Sequence, residues 1–432
     1  MIEDRDVVVV TGVRTPFVKA WTTLGAVHPV DLGRLVVREA VERADLDPTT
    51  IDEVVVGNIA GPADAANIAR VIALAGKLPR NIPAFTVNRN CASGLQSIVE
   101  AAYRIRAGDA DVMVAGAVES MSAIPLLFSA EAQRTWMRLG RARGMLGKLG
   151  AMAAFRPRHF KPLIGLQLGL TDAASGLNMG QTAELLAGEF DIGREEQDRF
   201  ALQSHQRAAA AWSEGRMQDE VVPVPVPPRY EQAAERDNGI REAQTLEALA
   251  KLRPVFDRRY GTVTAGNSSQ ITDGAAALVL ASGRRARELG LSVLGKIRSW
   301  AFAGCDPARM GLGPVLATPL ALRRAGGLAL ERMERVEINE AFAAQVLGCI
   351  AAWRDSKYCR EELHLRSAFG EIEQEKLNVD GGAIALGHPV GSSGARIVLH
   401  LCHVLQQNNA ARGMASICIG GGQGGAMLVE RD

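Results

Sequence analysis

The sequence is short of the features that mark several classes of protein. Aromatic residues make up only 5% of the chain, and its six cysteines (Cys91, Cys305, Cys349, Cys359, Cys402, Cys418) are scattered over 432 residues. None forms a Cys-x-x-Cys pair or a Cys/His cluster with zinc-ligand spacing, so disulfide-framework and structural-zinc readings are poor. Net charge is also lacking: 49 Lys and Arg stand against 48 Asp and Glu, for a total of +1. No global attraction to nucleic acid or to an acidic surface follows from that balance. No apolar run reaches the ~18–20 residues that a membrane span needs. The opening MIEDRDVVVV has neither the charged and apolar regions of a secretory signal nor the Arg/Ser-rich character of a transit peptide, and a cytoplasmic protein is expected. In a reducing compartment an isolated cysteine is either an inert core thiol or a reactive nucleophile.

What is present is an alternation of strands and helices. Val7–Val10 reads as a buried strand, Asp31–Ala44 as a helix, Ile51–Asn58 and Phe85–Asn88 as strands, Ser93–Ala107 as a helix, and Asp111–Ala115 as a buried strand ending at Gly116. Such alternation predicts an α/β layer structure. The second half echoes the first. ERVEIN, ending at Asn339, resembles DEVVVGN, ending at Asn58. Cys91 opens a turn into a helix 33 residues after Asn58, and His388 does the same in GHPVGSSGAR 49 residues after Asn339, with the charged segment Arg354–Lys376 absorbing the difference as an insertion. Two similar halves that each deliver one reactive residue at a strand-to-helix turn place a site at their junction.

Between them, Met121 to about Leu252 differs in composition. Glu131–Pro162 holds eight Lys and Arg against a single acid, a local net of +7. Trp136, Leu139, Leu146 and Leu149 fall near one helical face, although Gly140, Gly144, Gly147 and Gly150 weaken a helix there. Two readings stay open: a solvated excursion with a small core stripe, or a docking surface for lipid headgroups, a partner or an anionic acyl carrier. Arg194–Gly215 reads as a helix and VVPVPVPP as an extended stretch.

Four places can carry chemistry. Cys91 precedes a helix whose unpaired N–H groups and dipole favour a thiolate, yet on position alone a buried structural cysteine is the plainer reading. His388, between Gly387 and Pro389 in a glycine-rich turn, is a better general-base candidate than the other six histidines. Cys418 ends the apolar stretch MASICI and enters GGGQGG. Gly420–Gly425 matches G-x-G-x-x-G literally, but no helix and strand follow it as that fingerprint requires, so its backbone N–H groups suit an oxyanion hole instead. Asn339-Glu340-Ala341-Phe342 follows a strand and precedes a helix, where an N-cap is the plain reading.

Taken together and in order, NCASGLQS, GTVTAGNSSQITDGAAA, NEAFAAQ, GGAIALGHPVGSSGAR and CIGGGQGGAM resemble the motifs of the thiolase family over nearly the whole chain. The resemblance implies two similar βαβαβαββ halves in a five-layer αβαβα arrangement with an inserted loop domain over the CoA pocket. The expected boundaries are 1–121 with 253–285 for the first half, 122–252 for the loop domain with its basic segment 131–162, and 286–432 for the second half with the insertion 354–376. It implies CoA-dependent cleavage of 3-ketoacyl-CoA to acetyl-CoA and a shortened acyl-CoA, or the reverse condensation. Coenzyme A is then a co-substrate, and no permanently bound cofactor or metal is implied. Cys91 matches the nucleophile, His388 the base, Cys418 the acid/base at carbon, and Asn339 the holder of an oxyanion-hole water. Gly420 and Cys91 supply backbone N–H groups of the second hole. Arg241, Asn178, Met179, Ser269 and Phe342 match positions near CoA or the acyl chain.

Further stretches (KLRPVFDRRYGTVTAGNSS, SHQRAAAAWSEG and KIRSWAFAG) are similar to the β subunit of the trifunctional fatty-acid β-oxidation complex. That similarity implies degradation, a partner α subunit with hydratase and dehydrogenase activities, and peripheral membrane contact through the basic loop, while the thiolase resemblance itself implies a homo-oligomer, a dimer or tetramer. Asn339 stands where that subgroup usually has histidine, and Asn178 stands where short-chain biosynthetic members have histidine. The competing readings are a biosynthetic acetyl-CoA acetyltransferase, a condensing enzyme acting on acyl carrier protein, against which the Cys418 motif argues, and a non-catalytic lipid-binding or scaffold protein.

Overall fold

The computed structural model describes residues 2–431. Its principal strands are β1 (Val7–Arg14), β2 (Glu53–Gly57), β3 (Ala84–Val87), β4 (Val112–Ser120), β5 (Thr272–Ser282), β6 (Gly295–Gly304), β7 (Arg335–Ile338), β8 (Arg412–Ile419) and β9 (Gln423–Glu430). The helices that matter here are α1 (Pro29–Arg43), α2 (Ser93–Ala107), α3 (Ala130–Arg141), α4 (Gly144–Ala153), α5 (Met179–Glu189), α6 (Arg194–Ser213), α7 (Gly313–Arg324), α8 (Ala343–Arg354), α9 (Ala383–Leu386) and α10 (Ser393–Gln407). Two strands outrun their expected ends. β1 continues to Arg14 and β4 to Ser120, because neighbours bury even their polar ends: Arg14 and Glu119 are both fully buried.

One sheet runs through the molecule in the order β7-β8-β9-β6-β1-β5-β4-β2-β3, with the short strand Val18–Lys19 beside β5. From the central β1–β6 pair outwards, the order β1-β5-β4-β2-β3 is repeated by β6-β9-β8-β7. Only the last strand of the second half is reduced, to a parallel bridge between Val336 and Leu377. There Asn378 takes over the pairing. Its N–H donates to Val336 O at 2.9 Å, and its carboxamide accepts from Ile338 N and donates to Ile338 O at 2.9 and 3.0 Å.

Strand alternation sorts the core into layers. Val8, Val54, Val56, Val112 and Val114 face α1 on one side. Val7, Val9, Val55 and Met113 face α2 and α10 on the other, where Ile297, Ile417 and Val429 of the second half meet them. Met414, Ala426 and Leu428 then face α7 and α8. The result is helix, sheet, helix, sheet, helix, with α2 and α10 as the middle layer. These two cross where both are glycine: a Cβ on Gly94 would lie 2.6 Å from Ala395 N, and one on Gly394 would lie 2.5 Å from Leu95 N. No larger side chain permits that approach.

The basic segment forms helices despite its glycines. Around Gly140, Gly144 and Gly150 there is open space. Of the four residues named for a small core stripe, only Leu139 is partly buried: Trp136, Leu146 and Leu149 are 41%, 87% and 56% exposed, and Met145 is 80% exposed. α3 and α4 are held by an aromatic knot in which Trp136 lies 4.7 Å from Phe155 and 6.1 Å from Phe160, leaving the rest of their apolar surface facing outward. The segment 354–376 forms a short helix, Ser356–Glu362, that buries Cys359 and packs back on α8.

Candidate active site

Cys91 lies in the turn between β3 and α2. Asn90 takes a positive φ of 44°, a conformation asparagine tolerates better than most residues. Ser93 Oγ accepts from Arg89 N at 2.9 Å and donates to Asn90 O at 2.7 Å, which closes the turn. The same turn is pinned to the loop after β8: Asn90 Nδ2 donates to Gly420 O at 2.7 Å, and Arg89 Nη1 donates to Gln423 Oε1 at 2.9 Å. As a result the N–H groups of Gly420 and of Cys91 itself both face the half-buried Cys91 sulfur. Burial pushes this thiol up, and the two N–H groups work against that push.

His388 enters from the second half. α9 ends at Leu386, Gly387 turns the chain at φ 109°, and His388 N donates to Gln270 O at 3.0 Å. The His388 turn is tied to the Cys91 helix by Gly94 N donating to Gly391 O at 2.9 Å. On the ring, Nδ1 lies 2.6 Å from Ser393 Oγ, whose own proton can go to Pro389 O at 3.4 Å. That arrangement makes the hydroxyl an acceptor for Nδ1–H and leaves Nε2 as the basic nitrogen. Burial, with the nearby positive charge of Arg396, pushes His388 down to about 3. It is therefore a neutral imidazole near pH 7, able to take a proton.

Cys418, the next-to-last residue of β8, is 1% exposed. Burial raises its pKa well above the ordinary thiol value, and the neighbouring Cys91 adds to the shift. It is a thiol that keeps its proton, which suits a donor to carbon. Cys418 shares an apolar cluster with Met179, Phe256, Ala341, Phe342 and Ala344. Asn339 follows β7, its N–H donating to Ser416 O at 2.9 Å. Its Oδ1 and Nδ2 are buried and have no hydrogen-bond partner among the described residues. The N-cap reading of Asn339 does not hold, since α8 begins after Phe342 with no side-chain cap. Residues 267–270 run between these parts, with Ala343 N donating to Asn267 O and Ser269 N to Ala341 O, each at 2.9 Å.

The remaining sequence candidates are less uniform. Met179 Sδ lies 3.4 Å from where a Cβ on Gly420 would stand, and Phe342 packs edge-on to Phe256 at 6.1 Å. Ser269 is half-buried beside them. The Asn178 side chain caps α5, accepting from Gln181 N at 3.0 Å. Arg241 is exposed and outside the cysteine cluster, its N–H donating to His205 Nδ1 at 3.2 Å. Three residues escaped the sequence reading. Glu119 accepts from Ile59 N at 3.0 Å and Ala60 N at 3.1 Å, and burial pushes it up to about 7. The available signal was an acid closing an otherwise apolar strand. Ser393 and Gln270, which orient His388, gave no signal beyond standing in the right motifs. Among the described residues no cluster of three or more His, Cys, Asp and Glu side chains could hold a metal.

The family model described as thiolase, N-terminal domain, matches residues 7–284, and that described as thiolase, C-terminal domain, matches 291–431. A 3-ketoacyl-CoA thiolase of Shewanella halifaxensis is 41% identical over 425 residues, 98% of this chain and 96% of the relative. One of Aeromonas salmonicida is also 41% identical with the same coverage. Among solved structures, the acetyl-CoA acetyltransferase of Bacillus anthracis superposes with a TM-score of 0.85 at 37% identity, covering 98% of each chain. Human mitochondrial 3-ketoacyl-CoA thiolase in complex with CoA gives 0.84 at 37% identity, covering 100% of this chain and 99% of that one.

Proposed function

The chain belongs to the thiolase family, and from that premise we propose that it is a 3-ketoacyl-CoA thiolase, an acyltransferase that uses CoA to release acetyl-CoA and a shortened acyl-CoA. The observations that carry the reading are a nucleophile with two N–H donors on its sulfur, a second, protonated thiol beside it, and a neutral imidazole on a turn bonded to the Cys91 helix through Gly94 N and Gly391 O.

His388 Nε2 takes the Cys91 proton, and the sulfur attacks the 3-keto carbon while the N–H groups of Cys91 and Gly420 meet the developing oxyanion. The C2–C3 bond breaks, and the electron pair passes to the acetyl-CoA enolate. Cys418 S–H protonates that enolate at C2, and a water held by the Asn339 carboxamide meets its oxygen. The Cys418 thiolate regains a proton at the expense of protonated His388, and His388, neutral again, deprotonates the incoming CoA thiol. The CoA thiolate takes the acyl group from Cys91, whose departing thiolate recovers that proton from His388. The segment 122–252 serves as the cover of the CoA site, with Arg241 offering a free guanidinium to phosphate and Met179, Ser269 and Phe342 lining the pantetheine and acyl path. Turnover tests the reading: loss of 3-ketoacyl-CoA absorbance on adding CoA is expected in the purified protein, and absence of loss at every acyl length sinks it. The acetyltransferase reading predicts turnover of acetoacetyl-CoA alone.

The partners follow the same similarity: at least a dimer, an α subunit supplying the 3-ketoacyl-CoA, and a membrane surface for α3 and α4. No helix among the described residues is long and apolar enough to cross a membrane. The support for surface contact is the exposed Met145, Leu146, Leu149 and Met152 beside a groove of about 540 Å³ lined by Arg134, Arg138 and Arg141. A cationic surface with an apolar face suits an anionic bilayer. Since each Lys or Arg near such a surface contributes about 1 kcal/mol, reversing all three arginines to glutamate is expected to weaken co-sedimentation with phosphatidylglycerol vesicles by at least about 100-fold. Turnover of acetoacetyl-CoA stays unchanged. Equal sedimentation of both proteins would make the hairpin a solvated lid.

A further inference from the structure

His388 is held from two sides by one residue. The backbone carbonyl of Gln270 accepts the His388 N–H at 3.0 Å. Its carboxamide Nε2 donates to the carbonyls of Gly239 and Ile384, each at 3.0 Å, with Ala385 O at 3.4 Å. Ile384 and Ala385 belong to α9, a helix of four residues. One turn does not persist by itself, and its last carbonyls have no following turn to bond them. Gln270 supplies the missing donors. Because His388 follows α9 directly, the pose of that turn decides where the imidazole points.

The third carbonyl, Gly239 O, comes from a different part of the molecule. Gly239 lies two residues before Arg241, and its segment rests against α9: a Cβ on Gly239 would stand 2.5 Å from Ala385 O. The other anchor of the segment is Arg241 N donating to His205 Nδ1. Burial pushes His205 down to about 4, so this nitrogen remains an acceptor near pH 7. Three carbonyls around Nε2 fix the orientation of the Gln270 carboxamide, whose Oε1 is buried without a partner. Only its donor end is in use.

We propose that Gln270 is a positioning residue whose carboxamide ties the Arg241 segment to the short helix that aims His388, so that the CoA side of the site and the catalytic base share one geometry. This rests on the base role given to His388 above.

Two variants and two readouts test it. Gln270→Met keeps the length and removes the donors. Gln270→Lys restores donors, and a cation is favoured at a helix C-terminus. In Gln270→Met, kcat falls by about 10- to 100-fold, the scale expected of a catalytic group displaced by an ångström, while KM for the 3-ketoacyl-CoA moves by less than about twofold. Alkylation of Cys91 by iodoacetamide slows in parallel, and its pH profile moves to the alkaline side, because a misaimed imidazole no longer helps the thiol ionise. Gln270→Lys recovers most of both losses. Unchanged kcat in Gln270→Met overturns the proposal. So does a loss of kcat that leaves the alkylation profile unmoved, or one that Gln270→Lys does not relieve, since either marks general loosening. Alkylation needs no acyl-CoA. If the unaltered protein turned over no 3-ketoacyl-CoA, the proposed function would fall while the comparison of alkylation rates still judged Gln270.

Discussion

Replacing Cys91 with alanine is expected to lower the turnover of 3-ketoacyl-CoA by at least about 10³-fold while leaving the protein folded. The N–H groups of Cys91 and Gly420 meet its sulfur, whereas the one hydroxyl of the turn, Ser93 Oγ, is engaged with Arg89 N and Asn90 O. The fold should tolerate the loss. Cys91 is half-buried, and its turn is closed by Ser93, Asn90 and Arg89 rather than by the thiol. A second measurement separates this from a binding defect. Mixed with 3-ketoacyl-CoA and no free CoA, the unaltered protein should release about one acetyl-CoA per site as a burst and gain the acyl mass on the Cys91 peptide. The variant should do neither. Undiminished turnover in the alanine variant would refute the mechanism proposed above.

The second large effect concerns stability. Arg14 closes β1 with a guanidinium that is fully buried. It donates to Glu220 at 2.6 Å and, through both terminal nitrogens, to Asp237 at 2.8 and 3.0 Å. Glu220 also meets His400 of α10 at 2.9 Å, and Asp237 accepts from Phe17 N at 2.6 Å and Trp212 Nε1 at 3.0 Å. One cation therefore holds β1, α10 and the 212–237 segment together. Arg14→Met should lower the free energy of unfolding by about 3–5 kcal/mol, because it strands buried carboxylates rather than deleting a complete pair. Denaturant titration checks this, and a loss below about 1 kcal/mol would mean that water reaches the cluster.

Its pH dependence follows from the same groups. In the unaltered protein burial opposes the Glu220 charge, and His400 and Arg14 outweigh that, so its pKa lies below the ordinary carboxylate value. That contribution is present above the ordinary value and is lost as the pH falls through the folded one. Without Arg14 the folded pKa of Glu220 rises, and the stability gap between variant and unaltered protein should narrow toward acid. At the other end, burial opposes the His400 proton but Glu220 holds it, giving a pKa of about 9. Its contribution is full below the ordinary histidine value and disappears as the pH rises through 9, so the unaltered protein should lose stability between pH 7 and 9.

Much of this architecture was legible because it is local. The span Ser93–Ala107 was readable to the residue from the spacing of Leu95, Ile98, Val99 and Ala102. The paired positions of Asn58 with Asn339, and of Cys91 with His388, follow β2 with β7 and precede α2 with α10, as the internal echo predicts. The rest depends on partners far apart in sequence. Glu119 is a buried acid because N–H groups some sixty residues away meet it. Arg14 is buried because Glu220 and Asp237 come to it across more than two hundred residues. Local pattern misled at α3 and α4, where helices form around glycines with empty space beside them and the apolar residues face out. Propensity weighs the helix there, but it does not say which way a helix will face.

The reduced last strand of the second half has a consequence for self-association. At that end of the sheet the Asn378 main chain and carboxamide already occupy Val336 O, Ile338 N and Ile338 O, so an incoming strand finds nothing to bind. At the other end β3 pairs only with β2 among the described strands. There Asn67 Nδ2 meets Ala84 O, and the rest of the β3 edge is the place left for any strand addition between copies, which as β3 against β3 would be an isologous contact with a two-fold axis. Such a contact uses up the open edge of both molecules and closes at two, whereas free edges at both ends would let head-to-tail addition run on into a fibre. One asparagine side chain doing the work of a strand closes the second half's edge of the sheet to such addition.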